Sequence, residues 1–156
     1  MKLVVLFLAA VCCCCCSLGS AGEKEDQKYK LQEVRSQLGQ VKKLEQVKKM
    51  MQNETMLNSP PHDVEDCCYL SALQCFHDNL EVHFNGTRGI QRKPLRSLRR
   101  SLKNPLTKKA VEHCPPEKKT TTTCHECNSQ PKVNVTVFLD RLESLIQQAL
   151  TRLESK

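Results

Sequence analysis

The chain has 156 residues, with 24 Lys and Arg against 17 Asp and Glu, 11 cysteines, five glycines and no tryptophan. That length suits one domain around one modest core. Five glycines leave little room for a phosphate-cradling loop or a nucleophile elbow, and no paired-carboxylate cleft stands out, so the composition argues against an enzyme.

The N-terminus has the plan of a secretory leader. Met1-Lys2 is positive, Leu3 to Cys16 is uncharged and apolar, and Ser17 to Gly22 is small and mildly polar;. At about 14 residues the apolar run is shorter than the roughly 20 a bilayer demands. We read residues 1–21 as a signal peptide and 22–156 as the working domain, secreted and extracellular, without membrane insertion. Removing the leader takes Cys12 to Cys16 with it and leaves Cys67, Cys68, Cys75, Cys114, Cys124 and Cys127. An even set in a small secreted chain reads as a disulfide framework.

Glu23 to Met51 carries Leu31, Val34, Leu38, Val41, Leu44, Val47 and Met51 at steps of three and four, which predicts one long amphipathic helix;. Gly39 weakens it by up to about 1 kcal/mol relative to Ala. Asn58-Ser59-Pro60-Pro61 ends the helix. A second helix is expected from Asp63, with Leu73, Phe76 and Leu80 on its apolar face, fading by Asn85-Gly86. A third opens at Pro94, buries Leu95, Leu98 and Leu102, and closes at Pro105. Lys108 to Lys132, with three prolines and four consecutive threonines, is expected to be loop. The last helix, Val135 to Glu154, has the fullest stripe: Val135, Phe138, Leu139, Leu142, Leu145, Ile146, Ala149, Leu150 and Leu153. No segment alternates with period two. The expectation is an all-α fold, a four-helix bundle.

Charge is uneven. Arg88 to Lys109 holds nine Lys or Arg and no acid. Such a segment attracts sulfated glycans or acidic receptor surfaces, with Arg96, Arg99 and Arg100 as its centre. It contains no aromatic residue to stack on bases, so nucleic acid is not an expected partner. Asn53, Asn85 and Asn134 each begin an Asn-x-Thr sequon near a predicted helix end, where a glycan stays in solvent. Asn134 can also cap the last helix.

Cys68 and Cys75 lie two helical turns apart, roughly 10.5 Å along the axis. Cys124 and Cys127, in extended chain, lie about 10 Å apart. A loop lying along the helix could close two bridges side by side, in parallel or crossed order. Cys67 points about 100° away from Cys68 and needs another partner; Cys114 is the one left over. Cys124-His125-Glu126-Cys127 contains a zinc-like C-x-x-C, but the other pair has six intervening residues and the compartment is oxidising, so no metal is expected. Asp66-Cys67-Cys68 with His77-Asp78 superficially resembles secreted phospholipases A2. Those need His-Asp three residues beyond the double cysteine, where this chain has Ser71-Ala72;. His77 and Asp78 are instead expected on a solvated helix surface.

Asp63-Val64-Glu65, Cys68, Ser71-Ala72 and Cys75-Phe76 resemble the second-helix block of the interleukin-2/-15/-21 family. Cys124, Cys127 and Asn128, then Phe138-Leu139, Arg141, Ser144-Leu145 and Gln147, resemble that family's last cysteine pair and last helix. The resemblance spans roughly residues 63 to 153; the first helix matches in pattern only. It implies a short-chain up-up-down-down four-helix bundle with Cys68 bridged to Cys124 and Cys75 to Cys127. It also implies a cytokine that stimulates lymphocytes through a private receptor chain and the common cytokine receptor gamma chain. The family's gamma-chain contacts fall on Gln147 and Leu150, and private-receptor contacts are assigned to Lys30 and Arg35 of the first helix. Cys67 and Cys114 depart from the family pattern, so their bridge rests on counting alone. The expected protein is a monomer without cofactor. The alternatives are another interleukin-2/-15-like cytokine, or a cationic host-defence or heparin-binding protein.

Overall fold

Leu31, Val34, Leu38 and Val41 are all fully buried, and the helix that carries them, α1 (Lys2–Lys42), organises the rest. The computed structural model describes residues 2–84 and 92–155. The expected continuation to Met51 is interrupted. Lys43 and Leu44 donate backbone bonds to Gln40 and Val41, each at 3.1 Å. Leu44 then turns extended and a separate helix, α2 (Glu45–Gln52), begins. Beyond the break Val47 is fully buried, whereas Leu44 and Met51 are only partly covered.

Two short strands correct the expectation of no strand. β1 (Met56–Asn58) runs antiparallel to β2 (Lys132–Asn134), with Met56 opposite Asn134, Leu57 opposite Val133 and Asn58 opposite Lys132. Leu57 points inward and is fully buried, while Met56 faces out;. The segment after β1 is pinned to the last helix. Ser59 N–H donates to Pro131 O (3.0 Å), and Arg141 Nη1 donates to Ser59 O (3.3 Å) and Pro60 O (3.2 Å).

The second expected helix begins later than Asp63, which is exposed. A 3-10 turn at Asp66–Cys68 leads into α3 (Tyr69–His83). Asn85-Gly86, expected to end it, lie outside the described residues. Helix α4 (Arg92–Lys103) buries Leu95, Leu98 and Leu102 as expected. Pro105 closes that helix but also opens α5 (Pro105–Val111), which runs into the loop expected from Lys108. Proline at the first helical position gives up an N–H that has no partner there, and Asn104 Oδ1 caps the turn by accepting from Leu106 N (2.9 Å). Thr107 Oγ1, fully buried, donates to Ser101 O (2.7 Å) and ties α5 to α4.

The final helix, α6 (Val135–Glu154), has the expected limits. Asn134 Oδ1 accepts from Val137 N (2.9 Å) and caps it;. Helix α1 packs against α4, α5 and α6, and α3 against α4, α5 and α6. At the centre Phe76 meets Phe138 edge-on, with ring centroids 5.2 Å apart;. The described chain is mostly helical, in keeping with an all-α fold. No helix among the described residues is long and apolar enough to cross a membrane.

Candidate functional site

Three disulfides fix the loop between α5 and β2. Cys67 joins Cys114, Cys68 joins Cys124 and Cys75 joins Cys127, with Cα separations of 4.2, 5.4 and 5.1 Å. The order is parallel, and both sulfurs of the C-x-x-C are spent, one on Cys68 of the 3-10 turn and one on Cys75 of α3, which leaves no thiolate there for zinc;. Asn79, buried on α3, donates to Cys75 O (3.0 Å) and lies 3.1 Å from Cys127 Sγ.

Helix α6 presents a face beside α1. Gln147 is exposed there, whereas Leu150 is 4% exposed and belongs to the core. Leu150 continues the stripe of Ile146 and Ala149, as its place in the predicted apolar stripe implies, and packs in the core. Gln147 lines an open groove of about 790 Å³ with Arg35, Tyr69, Glu143, Gln148 and Arg152. Arg152 lies over the Tyr69 ring, 3.8 Å from its centroid, and reaches Asp66 at 3.5 Å;. Tyr69 OH donates to Gln148 Oε1, and Ser144 Oγ sits 2.8 Å from His62 Nε2.

The rim of this groove is a charge clamp. Lys42 Nζ bonds Asp140 (2.8 Å) and Glu143 (2.5 Å), and Arg35 Nε lies 3.8 Å from Glu143. Burial presses the Lys42 ammonium toward neutrality, but the hydrogen bonds and charges of Asp140 and Glu143 outweigh it and hold its pKa above the ordinary lysine value;.

Lys30 does not share this face. Five residues separate it from Arg35, about 140° around the helix. Its Nζ bonds Glu33 Oε2 at 2.6 Å on the side of α1 that meets α4. There Gln37 Nε2 donates to Glu33 (2.7 Å) and to Ser97 (2.9 Å), and Ser101 Oγ donates to Glu33 (3.2 Å). The Lys30 hydrogen bond holds the Glu33 carboxyl below its ordinary value of 4.5. Burial pulls the other way, and the Lys30 charge and the Ser101 and Gln37 hydrogen bonds reinforce the lowering;. The two first-helix candidates are thus not brought together; Arg35 and Gln147 are.

On α4, Lys93, Arg96, Arg100 and Lys103 are exposed and Arg99 is half-buried. Spacings of three and four put Lys93, Arg96, Arg100 and Lys103 on one side of the helix, away from Leu95, Leu98 and Leu102, with Arg99 at the edge of that apolar stripe;. Lys103 faces Glu81 at 3.7 Å, and Lys109 of α5 pairs with Glu23. Arg88 lies outside the described residues.

Asn53 and Asn134 are exposed; Asn85 lies outside the described residues. His77 is 3% exposed rather than solvated, because its position on α3 falls beside the Leu73–Leu80 stripe. His77, Asp78 and Glu81 bring ligand-type atoms within 4.8 Å of one another. His77 Nδ1 is already paired with Asp78 Oδ1 (2.9 Å), and Lys103 beside Glu81 opposes a cation. The sequence reading missed the Tyr69–Arg152 stack and the Lys42 clamp. No spacing rule relates α1 to α6, though Lys42, Asp140 and Glu143 were visible as charges flanking apolar stripes.

Comparison with protein-family models, with curated proteins and with solved structures yields no match to this chain.

Proposed function

We propose that this chain is a secreted cytokine of the interleukin-2/-15/-21 family, nearest interleukin-21 in its motifs. On this reading it brings a private receptor chain together with the common cytokine receptor gamma chain on lymphocytes. Its helices form a short-chain, up-up-down-down four-helix bundle with α1, α3, α4 and α6 as the four members, acting as a monomer. The observation that carries the reading is the parallel pair of bridges, Cys68 to Cys124 and Cys75 to Cys127, the pairing that the resemblance implies. Gln147, exposed on the solvent side of α6, supports it further.

The mechanism is assembly. A rigid ligand holds two receptor chains at a fixed distance, and their juxtaposition starts signalling inside the cell. Gln147 offers a neutral donor and acceptor in the groove between α1 and α6, and Arg35 stands beside it. Leu150 acts from beneath by seating α6 on the core. The test is binding of the refolded chain to purified receptor ectodomains. The expected result is a binary complex with the private chain and a ternary one once the gamma chain is added. Absence of both complexes refutes the reading, and a ternary complex with a different private chain assigns another family member.

The cation-bearing side of α4 favours a second activity, retention on sulfated glycans. Arg96, Arg99 and Arg100 changed together to Ser should lower the salt needed to elute the protein from heparin; unchanged elution refutes it.

A further inference from the structure

Asn134 does two jobs with two different atoms. Its Oδ1 accepts from Val137 N at 2.9 Å and caps α6. Its Nδ2 makes no hydrogen bond among the described residues, and the residue is exposed. Asn134-Val135-Thr136 is a sequon, and Thr136 is exposed as well;. Beside it lie two of the large apolar side chains that the fold leaves in water. Met56 stands directly across the β1–β2 pair from Asn134 and is 48% exposed. Val137 is one turn along α6 and is 36% exposed. Asn53, by contrast, closes α2, and its successor Glu54 has a left-handed φ of 51°.

We propose that Asn134 carries an N-linked glycan whose first sugars lie over Met56 and Val137. In the modification, Nδ2 gives up one hydrogen and bonds the anomeric carbon of a lipid-diphosphate-linked oligosaccharide, and the lipid diphosphate leaves with the sugar's former bonding electrons. Oδ1 is untouched, so the glycan is attached without uncapping α6. The apolar face of a pyranose then covers a patch that otherwise meets water. The proposal rests on the secretion part of the function proposed above.

The full chain is expressed in a mammalian secretory line, once with its own first 21 residues and once with those replaced by a proven leader. Peptide mapping before and after enzymatic deglycosylation reads occupancy, since release converts a glycosylated Asn134 to Asp. Thr136→Ala and Asn134→Asp both destroy the sequon yet keep an N-cap acceptor; each should lose one glycan's mass with helicity unchanged. Peroxide oxidation of Met56, followed by mass with Met50 and Met51 as references, should be severalfold slower in the glycosylated form. Unmodified Asn134 in protein secreted by the proven leader overturns the proposal. Equal Met56 oxidation in both forms overturns the covering of the patch. Failure of the native leader alone, with Asn134 glycosylated in the other arm, counts against secretion and leaves the site established.

Discussion

Changing Gln147 to Asp separates the receptor face from the fold. Gln147 is exposed, and its side chain makes no hydrogen bond among the described residues; its backbone carbonyl accepts from Thr151 Oγ1 at 3.0 Å. The new carboxylate would stand four residues from Glu143 on the same helix face, a like-charge spacing that costs about 0.3–0.5 kcal/mol. Glu143 is already answered by Lys42 at 2.5 Å and Arg35 at 3.8 Å, which offsets part of that cost. The melting temperature should therefore move by no more than about 2 °C. At a receptor interface the change is larger. Charging a buried polar contact commonly costs about 2 kcal/mol, roughly a thirtyfold loss of affinity. Circular dichroism, binding to each receptor ectodomain and a lymphocyte reporter together decide the matter. The expected variant is folded, binds the private chain, fails to recruit the gamma chain and antagonises the wild type. Full signalling at normal helicity refutes the assignment of α6. Equal loss of both receptors refutes the separation of faces, a live outcome because Arg35 lines the same groove.

Gly39→Ala should raise stability by up to about 1 kcal/mol in urea unfolding. A Cβ there meets nothing within 4 Å, so a loss of stability would contradict the packing described for α1. Removing the Cys67–Cys114 bridge by a double change to Ser should cost about 4 kcal/mol in the chain-entropy model for a separation of 47 residues;. A denaturation midpoint that does not move would mean that this segment is tethered by other contacts. Glu33 is held below its ordinary 4.5 in the folded state, so the unfolded chain takes up its proton first as pH falls. Its contribution is complete above about 4.5 and is lost as pH drops through the folded value. Glu33→Gln should flatten stability against pH in that acid window, and an unchanged slope would rule out Glu33 as its source.

What the sequence revealed depended on whether a signal was local. Helix α6 was legible to the residue, because an unbroken stripe from Val135 to Leu150 is preceded by a capping Asn. The stripe of α1 was equally legible, but its break was not. Nothing at Lys43-Leu44 forbids helix, and the interruption shows only where Val47 packs. Proline misled at 105 because it both stops one helix and starts the next, and only the Asn104 cap distinguishes the two. The strands were invisible for a different reason. Three residues cannot display a period of two, and Met56 and Asn134 meet only after the chain between them has folded. At the site, the exposure of Gln147 and the burial of Leu150 follow from helical position, whereas the Arg35–Glu143–Lys42 clamp needs two helices side by side.

That clamp gives the two candidate faces different chemistry. On α6 the carboxylates of Asp140 and Glu143 are answered by Lys42 and Arg35, so the groove around Gln147 offers directional hydrogen bonds with its charges largely paired. On α4 the exposed cations Lys93, Arg96 and Arg100 share a surface on which Glu81, facing Lys103, is the nearby acid among the described ion pairs. Paired charges make a contact whose strength depends on fit, and clustered like charges make one whose strength depends on ionic strength. Raising salt should therefore release the protein from a sulfated glycan while barely weakening a contact centred on Gln147. A receptor interaction lost as steeply with salt as heparin retention would place that receptor on α4 rather than on α6.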